Sequence, residues 1–162
     1  MADRKAQFMP VLLDRLTDEF PDRSTEVRKL GISRIDYYNA VIRDLSWLLN
    51  STQFESRGTL TLPPRVRNST LNYGLAPISG RRYSELDLPE IASSIKHAIA
   101  TFEPRILAET ISVTPFHDPV SHSHNLAVFE ISAKLWFEPT PIDLYVRTEL
   151  DMEAGHAIVV GR

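Results

Sequence analysis

The hydrophobic period of this chain changes once, around Pro104, and that change constrains the fold more than any other feature. Before it, apolar residues recur at three- and four-residue steps, the spacing of a helix face; after it they recur at every second position, the spacing of a strand. The last helical stretch is well bounded. Asp87 and Glu90 form a capping-box pair, Pro89 sits in the first turn, and Leu88, Ile91, Ile95, Ala98, Ile99 and Phe102 make the apolar stripe. Pro104 disfavours the α conformation for Glu103 and has no N–H to give a helical bond, so the chain turns there. Beyond Arg105, Leu107, Glu109, Ile111 and Val113 alternate with polar neighbours up to Pro115. Phe129, Ile131, Ala133, Leu135 and Phe137 mark a second strand, and Leu144, Val146, Thr148 and Leu150 a third. Ala154-Gly155 leads into a short fourth from His156 to Val160. Helices first and strands afterwards predict an α+β fold, with N-terminal helices followed by a three- to four-stranded antiparallel sheet over residues 106–160. So few strands cannot close into a barrel, so the sheet keeps an edge on which another chain can add a strand.

Upstream, the strongest helix signal runs from Ser33 to Asn50, where Ile35, Tyr38, Val41, Ile42, Leu45, Leu48 and Leu49 form the stripe and Ser33 with Asp36 an approximate capping box. Trp47 lies beside that stripe. A shorter helix over Val11–Phe20 follows Pro10 and places Leu12, Leu13, Leu16 and Phe20 on one face before Pro21-Asp22-Arg23-Ser24 breaks it. So short a helix is marginal alone, which makes residues 1–20 a docking segment. Residues 51–84 lose periodicity and carry Gly58, Pro63-Pro64, Gly74, Pro77 and Gly80, the pattern of a long irregular segment. Loops of that length are often binding segments.

A chain of 162 residues suits one domain, 1–162, able to bury a core of its own. There is no cysteine, which excludes disulfides and thiolate chemistry and leaves a cytoplasmic address as the default. No apolar run reaches the length of a membrane span, and Met1–Pro10 does not read as a signal peptide. A net charge of −3 gives no electrostatic case for nucleic acid. Between Ser56 and Ser84 five arginines (Arg57, Arg65, Arg67, Arg81, Arg82) stand without an acidic residue, either a solvated loop or a face for an acidic partner.

Candidate chemistry is sparse. His117, Asp118, His122 and His124 cluster in one loop, but their spacing matches no helix-based or finger-type metal site, so no metal or other cofactor is expected. Glu109 and Asp118 could serve as the paired carboxylates of a glycoside hydrolase. Their spacing is similar to that of phage-type lysozymes, with His124 where those enzymes place threonine. No G-x-S-x-G elbow, P-loop or dinucleotide fingerprint occurs. The weight falls on a binding module without a small-molecule substrate. Glu103-Pro104-Arg105 is the most distinctive tripeptide: proline fixes the helix–sheet junction, so an acid and a guanidinium either project from a rigid corner or pair with each other.

The order of features is more telling than any single one. L-L-D-R-L at Leu12–Leu16 precedes D-L-S-W-L-L-N at Asp44–Asn50, then S-x-L-N-Y-G-L at Ser69–Leu75, S-G at Ser79-Gly80, and I-K-H-A-I-A-T-F-E-P-R at Ile95–Arg105 before a β-rich tail. This resembles the TssE family of type VI secretion baseplate subunits and, through it, the phage tail baseplate wedge family once labelled lysozyme-like. The resemblance implies a structural, non-enzymatic subunit in the cytoplasm, in a baseplate docked at the inner face of the cytoplasmic membrane. Its partners would be other baseplate wedge subunits and the contractile sheath proteins. It assigns Glu103, Pro104 and Arg105 to wedge partners, and the Leu12, Leu13 and Leu16 face of the docking segment is expected to bind them as well. The β-rich tail resembles the strand-exchanging part of sheath proteins, and Leu144, Val146, Arg147 and Thr148 are the expected sheath-facing strand.

Overall fold

The computed structural model describes residues 10–17, 21–22, 24, 31–55, 61–77, 87–116 and 126–161. The chain groups into two compact units, Met1–Val41 and Ile42–Arg162. The first holds α1 (Leu12–Leu16) and the start of α2 (Arg34–Asn50). Helix α1 is shorter than the apolar spacing predicts, and residues 18–20 lie outside the described residues. Its Leu12 and Leu16 are 68% and 74% exposed. The expected box at the start of α2 is present: the Asp36 N–H donates to Ser33 Oγ at 3.1 Å, and that hydroxyl donates to Asp36 Oδ2 at 2.8 Å. Ile35, expected on the buried stripe, is exposed instead, because the stripe is centred on Tyr37, Val41, Leu45 and Leu48 and Ile35 falls on its flank.

In the second unit, the end of α2 buries Leu45, Leu48 and Leu49. The segment expected to be irregular is braced where it is described. It contains α3 (Pro64–Arg67), a 3-10 turn at Thr70–Asn72, and a parallel bridge between Thr52 and Leu75. The Leu75 N–H donates to the Ser51 carbonyl at 2.8 Å, and the Gln53 N–H to the Leu75 carbonyl at 3.0 Å. Gly74 makes this crossing possible: its φ is +121°, and a Cβ there would lie 2.2 Å from the Ser51 oxygen. Asn72 is buried, accepting from the Glu55 N–H and donating to the Arg67 carbonyl.

Helix α4 (Leu88–Phe102) starts as its sequence predicts, with the Asp87 carboxylate accepting from the Glu90 N–H at 3.1 Å. It packs along β1 (Ser112–Phe116), the first strand of an antiparallel sheet in the order β1, β2 (Leu126–Leu135), β3 (Ile142–Asp151), β4 (His156–Gly161). Ala127, Phe129, Ile131, Ala133 and Leu135 of β2 and Leu144, Val146, Thr148 and Leu150 of β3 all face inward. Each large side chain among them stabilises the fold by roughly 1.5–3 kcal/mol.

Two strand expectations change. Residues 107–110 are not strand: Ala108–Thr110 form a 3-10 turn, because Thr110 Oγ1 donates to the Leu107 carbonyl at 2.7 Å and accepts from the Lys134 N–H at 2.9 Å, replacing ladder bonds with side-chain bonds. The expected sheath-facing strand is also not an edge. β3 pairs along its whole length with β2, and from Val146 onward with β4. Val146, Arg147 and Thr148 therefore have neighbours on both sides, while Leu144, opposite Ala133, is buried with Val146 and Thr148 on the core face. The edges belong to β1 and β4.

Candidate functional site

Glu103-Pro104-Arg105 is tied down by the elements around it. The Glu103 N–H makes the last helical bond of α4, to the Ile99 carbonyl at 2.9 Å, and the Ile106 N–H returns to the Glu103 carbonyl at 3.1 Å. The far side docks on the end of β2: the Trp136 N–H donates to the Arg105 carbonyl at 2.8 Å, and the Leu107 N–H to the Lys134 carbonyl at 2.9 Å. With the backbone so fixed, the two charged side chains fold onto each other. Arg105 Nε donates to Glu103 Oε1 at 2.7 Å and Nη2 to Oε2 at 2.5 Å, a bidentate pair to which the Arg105 backbone N–H adds a third bond at 3.1 Å. Proline sets this geometry by holding the carboxylate within reach of the N–H two residues on.

A third residue completes the network. Arg105 Nη2 also donates to Asp44 Oδ2, at 2.5 Å, and Asp44 Oδ1 accepts from Arg43 Nε at 3.0 Å. Two guanidinium groups and two carboxylates thus form a neutral cluster joining α2 to the helix–sheet corner. Glu103 is only 5% exposed. Burial disfavours the Arg105 charge, but the bonds and charge of Glu103, then Asp44, outweigh it and raise its pKa above the ordinary arginine value. Tyr73 lies against the cluster, its ring edge-on to Phe102 at 5.4 Å. Burial, then the Asp44 and Glu103 charges, push its phenol pKa up. Arg105 Nη1 is buried without a hydrogen-bond partner among the described residues. Of the tripeptide, Pro104 is the exposed member.

The second feature is the β4 edge. Ile158 and Val160 are both more than half exposed. The Ala157 N–H donates to Asn50 Oδ1 at 2.8 Å, and Asn50 Nδ2 donates to the Ala157 carbonyl at 2.8 Å. Ala157 therefore directs both its backbone groups away from β3. Because an antiparallel ladder alternates, Val159 and Gly161 do the same. No hydrogen bond meets those outward groups among the described residues.

Asp44 and Asn50 were not singled out by type or spacing, although they are the first and last residues of the D-L-S-W-L-L-N stretch. Two polar residues bounding an otherwise mostly apolar helical run are the signal that points to them. Elsewhere, Glu109 is exposed on its 3-10 turn, and Asp118 and the three histidines at 117, 122 and 124 lie outside the described residues. Among the described residues no cluster of potential metal ligands occurs, and no helix is long and apolar enough to cross a membrane.

Residues 36–140 match a family of structural proteins of phage-tail-type baseplates. The chain belongs to that family, the baseplate wedge protein gp25 family, whose type VI homologue is TssE. No curated protein and no solved structure was found to match. The matched region contains the charged corner and Asn50; β3 and β4 lie beyond it.

Proposed function

We propose that the protein is a cytoplasmic, non-enzymatic baseplate subunit of a type VI secretion machine, joining the wedge complex to the first ring of the contractile sheath. Membership of the gp25 family carries this reading, and the open β4 edge supports its sheath side. A row of backbone groups pointing outward from an edge strand is matched along its length by an extended strand, and each bond so formed contributes roughly 0.5–1.5 kcal/mol net. The sheath-facing element is then β4, with β3 and its Leu144, Val146, Arg147 and Thr148 as the strand behind it.

The wedge side uses the Glu103-Pro104-Arg105 corner and the Leu12, Leu13 and Leu16 face. The corner acts through shape: its charges hold one another, and Pro104 with its surroundings forms a rigid surface. The leucines offer exposed apolar area with little cost to uncover. Co-expression of the full chain with its wedge and sheath proteins tests the two sides separately. Leu12→Ser combined with Leu16→Ser is expected to lose wedge capture, keep sheath capture and leave the melting temperature within about 2 °C. Retained wedge capture removes the leucine face from the interface.

A further inference from the structure

Asn50 does more than end α2. Its side-chain amide uses all its hydrogen-bonding directions but one: Nδ2 donates to the Ser46 carbonyl at 2.7 Å and to the Ala157 carbonyl, and Oδ1 accepts from the Ala157 N–H. A carboxamide has the donor and acceptor of a peptide group in the same plane. Paired with both backbone groups of one edge residue, it stands where one residue of an added strand would stand. The bond within α2 to Ser46 holds the amide in that orientation.

We propose that Asn50 is a register stop for strand addition: it fills the Ala157 position of the β4 edge and confines an added strand of a sheath subunit to Val159 and Gly161. This rests on the strand-addition reading above. Three residues of β4 turn their backbone groups outward, Ala157, Val159 and Gly161, and the residue nearest the β3–β4 turn is the occupied one. An incoming strand can therefore not slide towards that turn. Its side chains on the outer face meet Ile158 and Val160, exposed and apolar, so the fitting segment is short and apolar on that face. A slip by one residue would turn every side chain of the added strand to the wrong face, and a fixed end to the pairing prevents that. The edge also offers fewer free positions to unwanted strands.

Amide hydrogen exchange of the full chain, read residue by residue, tests the stop without a partner. In the native sequence Ala157 is expected to be protected like Ile158 and Val160, which face β3, while Val159 and Gly161 exchange quickly. In Asn50→Ala, Ala157 should lose protection by about tenfold, the size of one to two net hydrogen bonds, with Ile158 and Val160 unchanged. An unchanged Ala157 rate overturns the stop, whatever any partner does. If the alanine variant loses its fold, Asn50→Ser, too short to reach Ala157, gives the same comparison. The second arm adds the sheath subunit of the same machine. Val159 and Gly161 should gain protection in both proteins, and in Asn50→Ala the gain should extend to Ala157. Protection ending at Val159 even in the variant shows that something other than Asn50 sets the register, and overturns the proposal. If Ala157 responds to Asn50→Ala but Val159 and Gly161 stay fast with sheath bound, strand addition itself fails, and Asn50 only covers the edge. Protection of Val159 and Gly161 that rises with the protein's own concentration identifies a second copy as the occupant and overturns the sheath assignment.

Discussion

The charged corner and the β4 edge place their hydrogen-bonding groups in opposite ways. The corner holds the residues with the richest chemistry, two carboxylates and two guanidinium groups, and uses them on itself. The edge has plain backbone and two aliphatic side chains, and beyond Ala157 leaves them open. A motif that stands out in sequence can thus be tied up within the fold, while a stretch with no motif leaves backbone groups facing outward. The chemistry explains the difference: charges taken from water need partners at once, whereas an edge N–H or carbonyl facing solvent is satisfied by water until a strand arrives.

Arg105→Met should draw the largest response, since it leaves Glu103 buried without its counter-ion. A loss of about 3–5 kcal/mol is expected, which in a chain of this size lowers the melting temperature by roughly 10 °C. A fall of only a degree or two would mean that the corner is open in solution and its charges free for partners. Asp44→Asn removes the second carboxylate but keeps the bidentate pair. Asp44 retains a fifth of its side-chain exposure, so about 1–2 kcal/mol is expected by chemical denaturation. Val159→Pro deletes one outward N–H from the edge and should cost under about 1 kcal/mol, because proline is tolerated where an edge N–H faces solvent. Capture of sheath subunits should nonetheless fail, and a stable variant that still captures them would move the interface away from β4. The smallest effect concerns pH. The Arg67 hydrogen bond holds the Glu55 carboxyl below its ordinary 4.5, so the stabilisation is present above that value and is lost as pH falls through the lowered pKa. A carboxyl titration by NMR should place the Glu55 midpoint below 4.5.

Much of the frame was legible because local rules and tertiary packing agree. The Ser33–Asp36 and Asp87–Glu90 caps are where the sequence places them, and the inward faces of β2 and β3 follow strict alternation. Reading failed where a side chain replaced a backbone partner. Thr110 captures Lys134 and converts an apparent strand into a 3-10 turn. Gly74 looks like loop punctuation, yet it is the point where one segment of backbone touches another. At the corner, the rigidity given by Pro104 and the pairing of Glu103 with Arg105 could be read as one of two alternatives, but not the third partner, because Asp44 lies 61 residues away in sequence. Asn50 was hidden for the same reason, its partner being 107 residues distant.

That separation has a kinetic side. The β3–β4 hairpin closes a short turn in which the Asp151 carboxylate accepts from the Glu153 and Ala154 N–H groups and Gly155 takes a positive φ. Such a hairpin forms within about 1–10 μs, whereas joining Asn50 to Ala157 must close most of the chain. On refolding from denaturant, the edge therefore exists before the side chain that shortens it. During synthesis the order is reversed, since Asn50 has left the ribosome long before β4 is made. Dilution from denaturant should accordingly give more aggregate than translation does, and Asn50→Ala should narrow the gap between the two routes.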